Sequence, residues 1–132
     1  MAHPLEAIIR EASAAFGRDN LGAYLRPCTA DSVFNVPGRG GIGGTYRGKE
    51  GLYELARKAI EITAGTFQEE LEDVLANDHH AFVLARHRFT RDAQPMDYRT
   101  AHVYEIGDGK LAACWEQPRD QAVFDDAWGP PR

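Results

Sequence analysis

Residues 81–117, AFVLARHRFTRDAQPMDYRTAHVYEIGDGKLAACWEQ, decide the fold. Apolar and polar side chains alternate over Ala81–Thr90, over Asp97–Ile106 and again over Lys110–Gln117. Period two is the mark of strands whose two faces meet different environments. Gly107-Asp108-Gly109 separates the last two runs with residues suited to the left-handed backbone of a tight hairpin. A loop containing Asp92, Gln94 and Pro95 separates the first two, so the stretch reads as an antiparallel meander. Just upstream, Phe67, Glu69, Leu71, Asp73 and Leu75 alternate with Gln68, Glu70, Glu72 and Val74, a further strand with one wet face. Asn77-Asp78-His79-His80 is its turn.

Farther upstream the period becomes 3.6. Leu5, Ile8, Ile9, Ala12 and Phe16 form one face of a helix opened by Pro4 and stopped by Gly17. A short helix fits Asn20–Arg26, with Asn20 as its cap and Pro27 as its stop. Ser32–Val36 reads as a strand ended by Pro37. A third helix spans about Lys49 to Thr63, with Leu52, Leu55, Ala56, Ala59 and Ile60 as its buried stripe and Gly65 as its end. In the tail PRDQAVFDDAWGPPR, Phe124 and Trp128 are the packing anchors. Helices followed by a meander predict an α+β fold, with N-terminal helices packed on a curved, mostly antiparallel sheet. The space between the two layers is a natural small-molecule pocket.

The 132 residues suit a single domain over 1–132, because half that length would bury a marginal core. Lys plus Arg number 15 against 20 Asp plus Glu, a net charge of −5. That balance argues against a general nucleic-acid binder, which needs a dominant basic surface. No apolar run approaches a membrane span, and Glu6 and Glu11 stand where a signal peptide would be uncharged, so no membrane partner is expected. Cys28 and Cys114 allow one disulfide but suggest no disulfide scaffold, which makes the cytoplasm the expected compartment.

Two glycine motifs invite a phosphate reading and fail it. Gly38-Arg39-Gly40-Gly41-Ile42-Gly43 matches G-x-G-x-x-G, but a helix does not open directly on it and no βαβ unit follows. A flexible loop at the pocket mouth is the simpler expectation. Gly43–Glu50, GGTYRGKE, approaches a Walker A loop, yet Glu50 replaces the hydroxyl that would hold magnesium and would repel phosphate. No HExxH or other zinc spacing is present, so neither metal nor cofactor is expected.

His3, His79 and His80 fall at a terminus and a turn, where water is the ordinary partner. His87 and His102 fall inside neighbouring strands, within about two positions of each other if the hairpin centres near Ala93 and Gln94. A histidine there can exchange protons near neutral pH. Tyr98, Thr100, His102, Tyr104 and Ile106 share a face that mixes apolar bulk with hydrogen-bonding groups, as a pocket wall does. In the last strand Leu111, Ala113, Trp115 and Gln117 share one side, and Cys114 and Glu116 the other. Trp115 and Glu116 therefore cannot both enter one cavity unless a bulge intervenes. Asp31, Asp97, Glu116 and Asp120 are the carboxylates at strand edges, any of which could act as a general base beside an apolar wall.

Asp31–Gly51, DSVFNVPGRGGIGGTYRGKEG, resembles the strand, glycine loop and Y-x-G-x-x-G helix entry of SnoaL-like proteins in the NTF2-like superfamily. The runs GTFQEELEDVLANDHHAFVLARHRFTR and AHVYEIGDGKLAACWEQPRDQAVFDDAW continue the resemblance through the GDGKL hairpin, the strand tryptophan and a closing D-x-x-x-x-D-x-x-W. It implies a cone-shaped fold, a deep apolar pocket and a homodimer. In this superfamily the cyclases and epoxide hydrolases carry a carboxylate just after the last-strand tryptophan, which resembles Glu116, and cyclases carry a histidine that resembles His102. The ketosteroid isomerase base falls on Val36, and Arg86 and Arg88 lack the matching acid of an epoxide hydrolase.

These features lead to a cofactor-independent cyclase or isomerase acting on a small hydrophobic carbonyl compound, polyketide- or steroid-like. His102 with Glu116 or Asp120 would shuttle a proton α to the carbonyl. Tyr24 or Tyr98 would donate to the enolate, Phe34, Trp115 and Phe124 would shape the pocket, and His87 would line it. The rival is a non-catalytic small-molecule-binding or dimerisation domain of the same fold, and a polar pair in the pocket is what separates the two.

Overall fold

A computed structural model describes residues 2–16 and 21–131. In chain order it contains α1 (Pro4–Phe16), α2 (Leu21–Leu25), β1 (Cys28–Val36), β2 (Gly44–Arg47), α3 (Gly48–Thr63) and β3 (Gln68–Ala76). Then come β4 (His80–Arg91), β5 (Gln94–Gly107), β6 (Lys110–Pro118) and α4 (Gln121–Trp128). The expected helix stop at Gly17 and cap at Asn20 lie outside the described residues. The strands form one sheet in the order β2-β1-β6-β5-β4-β3. β1 runs parallel to β6 and the other neighbours are antiparallel. The expected α+β cone is the architecture found: α1, α3 and α4 pack on one side of a curved, mostly antiparallel sheet.

Alternation places the core. Along β4, Ala81, Val83, Ala85, His87 and Phe89 are buried, and Tyr98, Thr100 and Tyr104 continue that inner face on β5. Two bulges shift the parity that strict alternation predicts. Between Leu71 and Asp73 the β3–β4 register slips, which turns Val74 inward and leaves Leu75 59% exposed. Between Glu105 and Ile106 the β5–β6 register slips as well, so Leu111 joins Cys114 inside rather than sharing a side with Trp115. The β4–β5 hairpin turns at Asp92 and Ala93, both at positive φ, and pairs His87 with Tyr98. That is one residue earlier than expected, which slides the two strands by two positions and sets His87 four positions from His102 along the ladder.

Helix α3 buries Leu52 and Ile62, whereas Ile60, expected in its stripe, points to water. Its end is made by Ala64 in the left-handed conformation, ahead of Gly65. The glycine-rich loop is packed, not a free flap. Gly41 N–H donates to the Gly129 carbonyl at 3.2 Å, and a Cβ on Gly41 would meet Ile62 Cδ1 at 2.6 Å. Only glycine allows that approach. Cys28 and Cys114 are both buried free thiols. Among the described residues, no helix is long and apolar enough to cross a membrane. On the outer face of the sheet, Leu75, Phe82, Val103 and Trp115 are successive register partners on β3, β4, β5 and β6, and three of them are among the exposed large apolar side chains.

Candidate active site

The inner faces of β3–β6 each deliver a polar side chain to one region beneath α3. Glu69 and His87 are direct register partners on β3 and β4, and His102 and Glu116 are direct partners on β5 and β6. The His87 and His102 rings lie with centroids 5.4 Å apart. Side chains four ladder positions apart meet because the twisted, curved sheet brings diagonal neighbours on its concave face together.

Each group has a holder. Ser13 Oγ on α1 donates to Glu69 Oε1 at 2.5 Å, while His87 Nε2 lies 2.7 Å from Glu69 Oε2. His87 Nδ1 lies 2.9 Å from the Tyr98 hydroxyl, which accepts from Trp128 Nε1–H at 2.8 Å. Indole nitrogen can only donate, so the Tyr98 proton is free for His87 Nδ1, and His87 Nε2–H is directed at Glu69. Thr100 Oγ1 donates to Glu116 Oε2 at 2.8 Å, and His102 Nε2 approaches the same oxygen at 3.3 Å. No hydrogen bond from the described residues reaches Glu116 Oε1. His102 Nδ1 has Glu69 Oε2 at 3.9 Å, beyond hydrogen-bond length.

Burial pushes the His102 imidazole toward neutrality, but the adjacent Glu116 and then Glu69 outweigh it and raise its pKa to about 9. Burial likewise pushes Glu69 up, and the hydrogen bond and attraction of His87, with His102 and Ser13, overcome it and hold the carboxyl at about 2. Glu116 is lowered too, with burial opposed by the His102 charge and hydrogen bond, then by His87 and Thr100. His102 and Glu116 thus make a buried ion pair.

These groups form the polar end of a cavity of about 90 Å³ whose other walls are chiefly apolar: Tyr24, Phe34, Val36, Ile42, Leu52, Leu55, Ala56, Ala59, Phe67, Cys114 and Trp128. Beyond Phe67, Ala56 and Ala59, which it shares, lies a wider groove of about 690 Å³ lined also by Leu21, Tyr53 and Ile60.

Of the expected site residues, Tyr24, Phe34, His87, His102 and Glu116 line the cavity. The others do not. Trp115 lies on the outer face at 37% exposure, because alternation turns it away when Glu116 turns in. Phe124 is 1% exposed and packs edge-on against Tyr98, behind the wall. Tyr98 is buried in the same layer, and its hydroxyl is engaged by His87 and Trp128. Burial raises its pKa well above the ordinary phenol value, Glu116 adding to the effect. Asp120 is exposed and caps α4, accepting from Ala122 N–H and Val123 N–H. Asp97 pairs with Arg86 on the outer surface. Glu69, Ser13 and Trp128 carry no site signal in the sequence, and Thr100 is legible there only as a member of the pocket-wall face. Glu69 lies in the acidic run Gln68–Asp73, where only its inward parity marked it. Linear spacing showed no metal cluster, yet one donor atom from each of Glu69, His87 and His102 lies within 4.8 Å of the other two.

Comparison with known proteins agrees with this fold. Uncharacterised proteins of Mycobacterium tuberculosis and Mycobacterium bovis are 30% identical over 123 residues, covering 92% of this chain and 93% of theirs. The structure of Bal32a, from a soil-derived mobile gene cassette, superposes with a TM-score of 0.85 at 24% identity, over 92% of this chain and 94% of that one. TerC, co-crystallised with polyporic acid, gives a TM-score of 0.83 at 19% identity, over 95% of this chain and 98% of its own. At such identities the likeness shows the fold, an NTF2-like cone. A SnoaL-like domain model matches residues 9–114, and the chain belongs to that SnoaL-like family.

Proposed function

We propose that this protein is an acid–base enzyme of the cyclase or isomerase type, acting on a small hydrophobic carbonyl compound, polyketide- or steroid-like. One observation carries the proposal: the His102–Glu116 pair, 3.3 Å apart, stands at the polar end of an otherwise apolar cavity. A purely structural pair has no need of such a cavity beside it. Glu116 Oε2 is occupied by Thr100 and His102, which leaves Oε1 to take a proton α to the carbonyl. The His102 imidazolium stabilises the enolate oxygen. In an isomerisation Glu116 returns its proton to carbon once the double bond has moved, and in a cyclisation it gives that proton to the alkoxide oxygen formed when the enolate carbon attacks a second carbonyl. Tyr24 lines the same wall and would be the phenol that assists, its hydroxyl now 3.4 Å from that of Tyr104. The chemistry uses side chains alone. The wider groove beyond Phe67 offers a place for the rest of a substrate larger than the cavity.

A second copy of the chain fits the outer face as partner. The row Leu75, Phe82, Val103 and Trp115 is flanked by Arg86 with Asp97 and Arg99 with Glu72. Charges of both signs on one face can meet their opposites across a two-fold axis.

The test is proton exchange at the α-carbon of hydrophobic ketones in D₂O, followed by NMR. Wild-type protein should accelerate exchange, and Glu116→Gln should lose about 100-fold or more of that acceleration. Saturable binding without exchange would favour the non-catalytic binding domain instead. Full exchange by Glu116→Gln would remove that residue from the mechanism.

A further inference from the structure

The polar end of the cavity carries more than a proton pair. We infer that Glu69, His87 and His102 form a binding site for one divalent transition-metal ion of the zinc class. Their donor atoms come from adjacent strands and converge within 4.8 Å. The close approaches identify them as Glu69 Oε2, His87 Nε2 and His102 Nδ1, with separations from Glu69 of 2.7 and 3.9 Å. Ligands about 2.1 Å from one ion stand roughly 3 to 3.4 Å apart, so an ion would draw the three side chains slightly together from separations that reach no more than 4.8 Å.

The outer atoms of the three side chains are already held. Glu69 Oε1 takes the Ser13 hydroxyl, His87 Nδ1 meets Tyr98, and His102 Nε2 meets Glu116. Metal-binding imidazoles characteristically present their second nitrogen to a carboxylate or another oxygen, which fixes tautomer and ring orientation. Here both histidines do so. To bind the ion, His87 would move its proton from Nε2 to Nδ1 and donate it to Tyr98, whose oxygen can accept from both His87 and Trp128.

Charge points the same way. Among the described residues, the cavity is lined by two carboxylates and two imidazoles, with no Lys or Arg. A divalent ion with both imidazoles neutral would balance Glu69 and Glu116 together. Two nitrogens and one carboxylate oxygen favour zinc, ferrous or cobaltous ions over magnesium or calcium, which prefer all-oxygen sites. Three protein ligands leave at least one position open toward the cavity. The inference does not depend on the acid–base proposal. An ion on His102 Nδ1 would take the place of a proton there, so the two uses compete for one nitrogen.

The experiment titrates the chelator-treated protein with Co²⁺, reads the visible d–d absorption and displaces it with Zn²⁺. Wild type should give one cobalt per chain, fully displaced by one zinc. Glu69→Gln keeps the size of the side chain and an acceptor for Ser13, and circular dichroism confirms its fold. It should bind cobalt at least about 100-fold more weakly. His3, Asp78, His79 and His80 gather at an exposed corner that could collect an ion adventitiously. The variant His79→Ala/His80→Ala should therefore keep the wild-type spectrum and stoichiometry. Absence of the band in wild type, its persistence in Glu69→Gln, or its loss in the His79/His80 variant would each overturn the metal site. None of those outcomes bears on α-proton exchange by Glu116.

Discussion

His102 and Glu116 face each other directly across β5 and β6, and their side chains meet at 3.3 Å inside the cavity. A cross-strand pair that would be an ordinary surface ion pair on the outer face becomes here the dominant local charge. Removing one partner therefore changes the other. In Glu116→Gln, the burial that disfavours imidazolium loses its main opponent. In the metal-free protein the His102 NMR titration midpoint should fall from about 9 by at least one pH unit. An unchanged midpoint would show that Glu116 does not hold the proton on His102.

The same groups set the pH range of stability in the metal-free protein. A folded pKa raised to about 9 means His102 contributes stability that is full below its unfolded value, near 6.5, and is lost as pH rises through 9. Glu69 and Glu116 have lowered values, so their contribution is present above about 4.5 and is lost as pH falls, for Glu69 through about 2. Stability should plateau between roughly pH 4.5 and 6.5 and decline on both sides. Urea unfolding at intervals from pH 3 to 9.5 (~0.5 unit steps) reads this directly. The decline on the basic side should flatten in Glu116→Gln, and a slope identical to wild type would contradict the assignment.

Glu69 joins α1 to the sheet through Ser13 and orients His87. Glu69→Ala leaves both donors without their acceptor in a buried place and should cost about 2–4 kcal/mol by chemical denaturation. Glu69→Gln retains an acceptor for one of them and should cost less than half as much. Equal losses in the two variants would mean that packing volume, and not hydrogen bonding, is what Glu69 supplies.

Asp120 serves α4, not the cavity. Asp120→Ala should cost about 1 kcal/mol through the lost cap on Ala122 and Val123. The His102 titration should stay where it is in wild type. A shifted midpoint would return Asp120 to the site.

On the outer face, Phe82→Asp or Trp115→Asp places a carboxylate in the middle of the apolar row. Sedimentation analysis should find wild type as a dimer and each variant as a folded monomer with unchanged circular dichroism. Monomeric wild type at tens of micromolar would dismiss the second copy as the partner of this face.

Much of this was legible in the chain. The inward face Tyr98, Thr100, His102 and Tyr104 followed from alternation alone, as did the opposition of Trp115 to Glu116. Placing Trp115 in the pocket conflicted with that rule, and the structure kept the rule. Asp120 had a readable signal as well: it stands four residues before Phe124, which with Ala127 and Trp128 makes an apolar stripe at helical spacing, and is thus a cap. Glu69 was harder, because it differs from Glu70 and Glu72 in the sequence only by parity, and a bulge changes parity just beyond Leu71.

The sequence by itself determined the α+β class and most of the elements, α1–α3, β1 and the meander β3–β6, because these rest on local periodicity and on turn residues that act within a few positions; β2 and α4 came only with the structure. It also put His102 and Glu116 on neighbouring strands. Tertiary structure alone decided which carboxylate stands beside which imidazole. Bulges, a hairpin turn one residue early and the curvature of the sheet set those meetings, and each is chosen by packing summed over the whole sheet. A slip of one residue turns a side chain from cavity to solvent, and no local pattern encodes it.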